Sequence, residues 1–295
     1  MRRYAFLTVD VFTSTRFGGN QLAVFPDARG LDDSEMQALA AEMNYSETSF
    51  VLPPADPANT AQVRIFNRTA EMPFAGHPNV GTGFVLASLG AARGDALRFE
   101  EMAGLVEVRI ARDGTGAATG AEIDAPQPLA ILGELPSEAI ARCIGVAPDA
   151  MRAAAHPPLR ASVGVEFVLA EVEAEALAQA APDLAAFRAA AAAHLPGNDR
   201  LSVLLYSRAG ERIRSRMFAP LAGTWEDPAT GSANATLAAL ILAQSGGATN
   251  CFEVSQGAEM GRPSALRVRA WRAADGVHAS VGGDCVPVLR GEAEL

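Results

Sequence analysis

Two nine-residue stretches carry side chains whose types and spacing suit chemistry on a small molecule. Glu71-Met72-Pro73-Phe74-Ala75-Gly76-His77-Pro78-Asn79 and Glu226-Asp227-Pro228-Ala229-Thr230-Gly231-Ser232-Ala233-Asn234 share E-x-P-x-x-G-x-x-N without a gap, and an apolar run follows each. Pro and Gly placed just before a helix leave several backbone N–H groups unpaired at its N-terminus. Such an end attracts an anion through those donors and the helix dipole, by roughly 0.3 to 1 kcal/mol, or about 2 when partly buried. A carboxylate suits that site. The two copies differ where chemistry would differ: Met72 and His77 in the first stand against Asp227 and Ser232 in the second. His77 beside a helix N-terminus is expected to stay neutral and to give or take a hydrogen bond, while Asp227 can hold an amine or hydroxyl or accept a proton. The plainer reading leaves Pro and Gly shaping a turn, Ser232 capping a helix and Asp227 forming a turn.

Other chemistries fit poorly. Gly76 and Gly81 are followed by Thr82 rather than the lysine of a phosphate-binding P-loop. Gly81-Thr82-Gly83 lacks the frame of a dinucleotide fingerprint. No G-x-S-x-G elbow surrounds Ser232. The four histidines, His77, His156, His194 and His278, show no metal-ligand spacing, and Cys143, Cys251 and Cys285 form no C-x-x-C pair. Neither a cofactor nor a metal is therefore expected.

The elements that position these stretches repeat as well. Arg64-Ile65-Phe66 answers Arg216-Met217-Phe218 upstream, and Phe99-Glu100 with Gly104 answers Phe252-Glu253 with Gly257 downstream. A period near half the chain points to duplication of a whole domain rather than a solenoid. Strands are expected at 4–12, 21–25, 49–52, 62–66, 97–101, 105–110 and 120–124, and then at 162–170, 201–207, 211–218, 251–255, 265–271 and 277–290. Helices are expected from Asp32 with Glu35 as a capping pair, at 78–89, from Ser137 to Gly145, at 173–194 and at 232–243. Asn44 to Thr48 reads as a connection, and Pro126, Pro128 and Pro136 as the linker. Strand pairs joined by short turns imply an α+β fold of mixed or antiparallel sheets, each curved around a central helix, in two similar domains related by a pseudo-twofold axis. The expected domains are 1–127 and 128–295, with a tail at about 284–295 packing on the first.

The chain has 295 residues, 49% hydrophobic and 20% charged, with a net charge of −10. That composition suits ordinary globular packing and disfavours nucleic acid or anionic lipid as a partner. No run is long enough to span a bilayer, so the chain reads as soluble and cytoplasmic.

Further segments complete a family resemblance: Gly19-Asn20, Asn44-Tyr45-Ser46-Glu47-Thr48-Ser49-Phe50, Met72 to Pro78, Glu226 to Ala233, and Gln256-Gly257 with Gly261-Arg262-Pro263-Ser264. In these the whole chain resembles the PhzF-like (phenazine biosynthesis) isomerases, relatives by fold of diaminopimelate epimerase. The resemblance implies a homodimer of two-domain chains with the active site between the domains. It also implies cofactor-free proton transfer on a small carboxylate-bearing substrate, with Glu47 as acid/base. His77 and Asp227 would be its proton-handling partners. Asn20, Gly76, Gly231 and Ser232 would bind substrate, the two glycines and the serine at its carboxylate. An ordinary glutamate titrates near pH 4.3, so this chemistry at neutral pH asks for a Glu47 raised by burial or by a carboxylate neighbour such as Asp227. Gln21-Leu22 stands where the family has Pro and Ala after Asn, a departure that bears on substrate preference. A diaminopimelate-type racemase would need a thiol from each half, and none lies in 71–83 or 226–238. A ligand-binding protein without turnover is the other alternative.

Overall fold

A computed structural model describes residues 1–91, 94–195 and 200–295. The chain divides into two compact units, one of residues 1–126 with 281–295 and the other of residues 127–280.

The first unit contains β1 (Arg3–Val11), β2 (Asn20–Phe25), α1 (Asp33–Met43), β3 (Glu47–Leu52), β4 (Ala61–Asn67), β5 (Glu71–Met72), α2 (Gly76–Ser88), β6 (Ala96–Glu101), β7 (Gly104–Arg112) and β8 (Ala118–Asp124). β1–β2, β3–β4, β6–β7 and β7–β8 are antiparallel neighbours, whereas β2–β3 and β4–β6 run parallel. The capping pair forms as expected. Asp32 accepts from the Glu35 N–H at 2.9 Å, the Glu35 carboxylate accepts from the Asp32 N–H at 3.0 Å, and Asn44 ends α1 in the left-handed region. Met36, Leu39 and Ala40 turn α1 onto a cluster built around Phe25, Phe50 and Phe66. Phe25 stacks on Phe50 at 4.9 Å between centroids, and Phe66 meets Phe50 edge-on at 5.5 Å, geometries favoured by the ring quadrupoles.

Helix α2 is buried from Gly76 to Ala87, so its apolar composition all round is what its position requires. Two of its glycines permit the close approach. A Cβ on Gly81 would lie 2.6 Å from the Leu22 side chain, and one on Gly83 2.5 Å from that of Val108.

The second unit contains β9 (Ala130–Glu134), α3 (Ser137–Cys143), β10 (Leu159–Ser162), β11 (Glu166–Glu171), α4 (Ala174–Gln179), α5 (Leu184–His194), β12 (Val203–Ala209), β13 (Arg212–Ala219), β14 (Thr224–Asp227), α6 (Gly231–Ser245), β15 (Thr249–Gln256) and β16 (Ser264–Ala273). A last strand, β17 (Gly276–Glu294), gives its residues from Val281 onward to the first unit, where it pairs with β1 from Arg3↔Glu294 to Val11↔Cys285. Parallel β11–β12 and β13–β15 pairs stand among antiparallel ones, and α6 is buried along most of its length. The molecule is a sheet-rich α+β fold. No helix among the described residues is long and apolar enough to cross a membrane.

Three local expectations change. The proline-marked linker contains β9, because Pro128 and Pro136 flank a segment free to pair with β10. The strand expected at 162–170 is a hairpin, β10 and β11, turning at Val163 to Val165; Gly164 sits at φ 135°, which glycine alone adopts easily. Glu47 is the first residue of β3 rather than part of a connection, since its parallel pairing with Leu22 extends the strand back to it.

Candidate functional site

In the first unit the starts of two parallel strands and one helix converge. β2 opens at Asn20, β3 at Glu47 and α2 at Gly76, after a turn in which Gly19 holds φ 62°. A Cβ there would lie 2.3 Å from the Val11 carbonyl oxygen, so the turn that presents Asn20 requires glycine. Ser46 donates to Asn20 Oδ1 at 3.0 Å. His77 stands between β2 and β3, with Nε2 3.3 Å from the Gln21 carbonyl oxygen and Nδ1 3.5 Å from Glu47 Oε2.

A carbonyl oxygen only accepts, so the tautomer with its hydrogen on Nε2 satisfies Gln21 and turns the Nδ1 lone pair to Glu47. Burial pushes the His77 pKa down to about 3, with the Gln21 carbonyl opposing in part. The close pair is accordingly a neutral imidazole beside a carboxyl rather than an ion pair. The neutral state expected of His77 is present, and burial is its main cause, ahead of the helix end.

In the second unit Asp227 closes β14 and is buried, with Oδ2 accepting from Thr230 Oγ1 at 2.6 Å. Gln256, the last residue of β15, ties the following turn together. Its Nε2 donates to the Asp227 carbonyl at 2.8 Å, while its Oε1 accepts from Thr230 N at 3.1 Å and Asn234 Nδ2 at 2.8 Å. Ser264 Oγ donates to the Pro228 carbonyl at 2.8 Å. Gly231 and Ser232 are the first two residues of α6, and the Ser232 carbonyl accepts from Thr236 Oγ1 at 2.8 Å one turn on.

Neither α2 nor α6 has a side-chain cap at its N-terminus, in contrast to α1 with Asp32 and α5 with Asp183. Thr230 rather than Ser232 stands at the cap position of α6, and its side chain is spent on Asp227. The side chain at the cap position of neither helix accepts from its first-turn N–H groups.

The repeat has a structural role that sequence reading missed. Arg64 holds Glu71 through Nε at 2.7 Å and Nη2 at 2.6 Å, and Arg216 holds Glu226 through the same atoms at 2.8 and 2.9 Å. Each guanidinium also lies over the phenylalanine two residues on, at 5.2 and 5.0 Å. The spacings Arg-x-Phe and Glu-x-Pro were visible in both copies, but their pairing required the β4–β5 and β13–β14 hairpins. Among the described residues no group of three His, Cys, Asp or Glu side chains is placed to hold a metal ion.

Comparison with known proteins gives this geometry its context. The family described as phenazine biosynthesis-like protein, PhzC-PhzF, matches residues 9–291. The chain belongs to that family. It is 37% identical over 313 residues to an uncharacterised isomerase of Mesorhizobium japonicum, covering 99% of each chain. It is 34% identical over 292 residues to the trans-2,3-dihydro-3-hydroxyanthranilate isomerase of Pseudomonas chlororaphis, covering 97% of this chain and 98% of that protein. A Bacillus anthracis phenazine biosynthesis protein of the PhzF family superposes with a TM-score of 0.88 over 100% of both chains, a likeness of fold at 23% identity. With relatives named isomerases along their whole length, this PhzC-PhzF member is an enzyme of the isomerase class.

Proposed function

We propose that the protein is a cofactor-independent isomerase that moves a proton on a small carboxylate-bearing substrate, with Glu47 as the acid/base. The observation that carries this reading is the pairing of Glu47 with a neutral His77 at the open end of α2. A proton shift between carbons needs one group that accepts a proton and then returns it. A carboxyl beside an imidazole lone pair is suited to both states: its acid form can donate to Nδ1, and its carboxylate is set to take a proton from carbon. His77, fixed by Gln21, holds the carboxyl's orientation. In this reading Asn20 and the first-turn N–H groups at Gly76 and Gly231, with Ser232, bind the substrate carboxylate, and Asp227 holds an amine or hydroxyl.

In this reading the chain acts as a homodimer. The substrate class follows the Pseudomonas chlororaphis relative, whose name specifies trans-2,3-dihydro-3-hydroxyanthranilate. Racemisation by a thiol pair has little support. Cys143 is buried with its thiol pushed up to about 11, far from the range of a reactive thiolate.

The test is incubation with trans-2,3-dihydro-3-hydroxyanthranilate and related cyclic amino carboxylates in deuterated water. The wild type is expected to convert a substrate with deuterium incorporation, and Glu47→Gln to lose roughly 10² to 10⁴ in rate while still binding it. Full rate in Glu47→Gln overturns the assignment of Glu47. Binding with neither exchange nor conversion favours a binding protein, and exchange at one stereocentre without migration of the proton favours an epimerase.

A further inference from the structure

Two adjacent glutamates end differently at the close of β6. Glu100 faces outward and accepts from Ala55 N at 2.7 Å, Asp56 N at 2.8 Å and Asn59 Nδ2 at 2.7 Å, which holds it below the usual carboxylate range. Glu101 points to the interior with Leu97 and Phe99. Both of its oxygens are buried without a hydrogen-bond partner, as is Asn79 Oδ1 on the first turn of α2. The Asn79 carboxamide lies against the Glu101 carboxyl, though outside hydrogen-bond geometry. Buried acceptors left in this state are costly, and an ionised carboxylate more so.

The second unit shows what belongs at this position. β6 pairs with β4 through Ala61↔Phe99 and Gln62↔Glu100, and β15 pairs with β13 through Ile213↔Val254 and Arg214↔Ser255. With Arg64 matched to Arg216, that register equates Glu101 with Gln256, two residues away from the match suggested by Phe99-Glu100 and Phe252-Glu253. Asn79 and Asn234 correspond in the repeated stretch, and each donates through Nδ2 to the carbonyl four residues before it, at 3.1 and 3.0 Å. Gln256 accepts with its oxygen and donates with its nitrogen, closing the turn that leads into α6. A carboxylate has two acceptors and no donor; a carboxylic acid has one of each.

We infer that Glu101 is a positioning residue that keeps its proton and, as a neutral acid, clamps the turn before α2 as Gln256 clamps the turn before α6. With one acceptor and one hydroxyl donor, the acid form offers the first helical turn that bears Gly76 and His77 the same two functions that the Gln256 carboxamide supplies before α6, and the carboxylate does not. Burial pushes the Glu101 pKa up to about 8, against partial relief from Asn79. No charged group supplies the shift. Arg98 and Glu100 of β6 and Glu107 of β7 are on outward positions, Arg109 of β7 is engaged by Glu122 and Asp124, Arg64 of β4 and Glu71 of β5 hold each other, and His77 of α2 faces Glu47. The clamp therefore opens as Glu101 ionises.

The catalytic meaning of this clamp rests on the function proposed above; the protonation does not. Infrared titration of the full chain is expected to show a protonated-carboxyl band that bleaches with a midpoint near pH 8 and is missing in Glu101→Gln. Because the folded-state pKa exceeds the ordinary 4.5 of a free glutamate, stability is full below that value and falls as pH rises through about 8. The melting temperature of the wild type should drop across that window relative to Glu101→Gln, which supplies the amide found in the other unit. In turnover, Glu101→Gln is expected to keep the neutral-pH rate and remove an alkaline loss that appears in kcat more than in KM. The inference is overturned if the wild type lacks such a band, or if Glu101→Gln leaves the pH dependence of melting unchanged. Since the infrared and melting readouts need no substrate, absence of turnover would count against the proposed function alone.

Discussion

At the scale of single residues, His77 shows how burial selects chemistry. A histidine in water is half charged near pH 6.5, whereas this one stays neutral to about pH 3. The linkage has a definite sign. Between those values the unfolded chain binds the proton and the folded chain does not, so His77 costs nothing above pH 6.5 and destabilises progressively as pH falls toward 3. At about 1.4 kcal/mol per pH unit, the loss reaches a few kcal/mol in acid. Chemical denaturation of wild type and His77→Gln at a series of pH values should show the wild type losing more stability below pH 6.5, with the two curves parallel above it. The Glu47→Gln rate loss of roughly 10² to 10⁴ belongs to the same pair.

At the scale of elements, the repeated stretch is a hairpin lock followed by an open helix end. Arg216 and Glu226 have side chains only 7% and 12% exposed, and Arg216 also donates to the carbonyls of Leu177, Ala178 and Ala180. Removing the cation would leave a buried carboxylate and three carbonyls without their partner. Arg216→Met is expected to cost about 3 to 5 kcal/mol in denaturant unfolding. Arg64→Met should cost less, because Arg64 and Glu71 keep 20% and 23% exposure and water can replace part of the contact. Packing makes a separate demand on α2. Gly83→Ala would bring a methyl within 2.5 Å of the Val108 side chain, and a loss of about 1 to 3 kcal/mol is expected, read as a lower melting temperature.

At the scale of the whole molecule, β17 joins the stability of the chain's two ends. Its residues from Val281 onward pair with β1 over nearly the full length of that strand. A chain ending at Ser280 is expected to expose the β1 edge and lose protection there in amide hydrogen exchange, while β12 and β13 of the second unit keep theirs. Equal loss in both units would contradict this division.

Much of this was legible along the chain. The Asp32–Glu35 cap, the Phe50 and Phe66 strands and the two apolar helices follow from short-range rules of capping, alternation and composition, which act over a few residues. The repeat, read with Asn44 to Phe50 and Gln256-Gly257, was sufficient to place the protein with the PhzF-like isomerases and to single out Glu47, His77 and Asp227. The hairpin at β10–β11 and the strand at β9 were missed because edge pairing depends on a partner supplied from elsewhere. The sequence by itself determined which side chains were available, whereas the absence of a side-chain cap on α6 followed from Thr230 being turned to Asp227. Only the tertiary structure decided that His77 is buried and neutral beside Glu47, and that Glu101 rather than Glu100 is the buried carboxyl. Burial and strand register set both outcomes, and each is a property of residues distant in sequence.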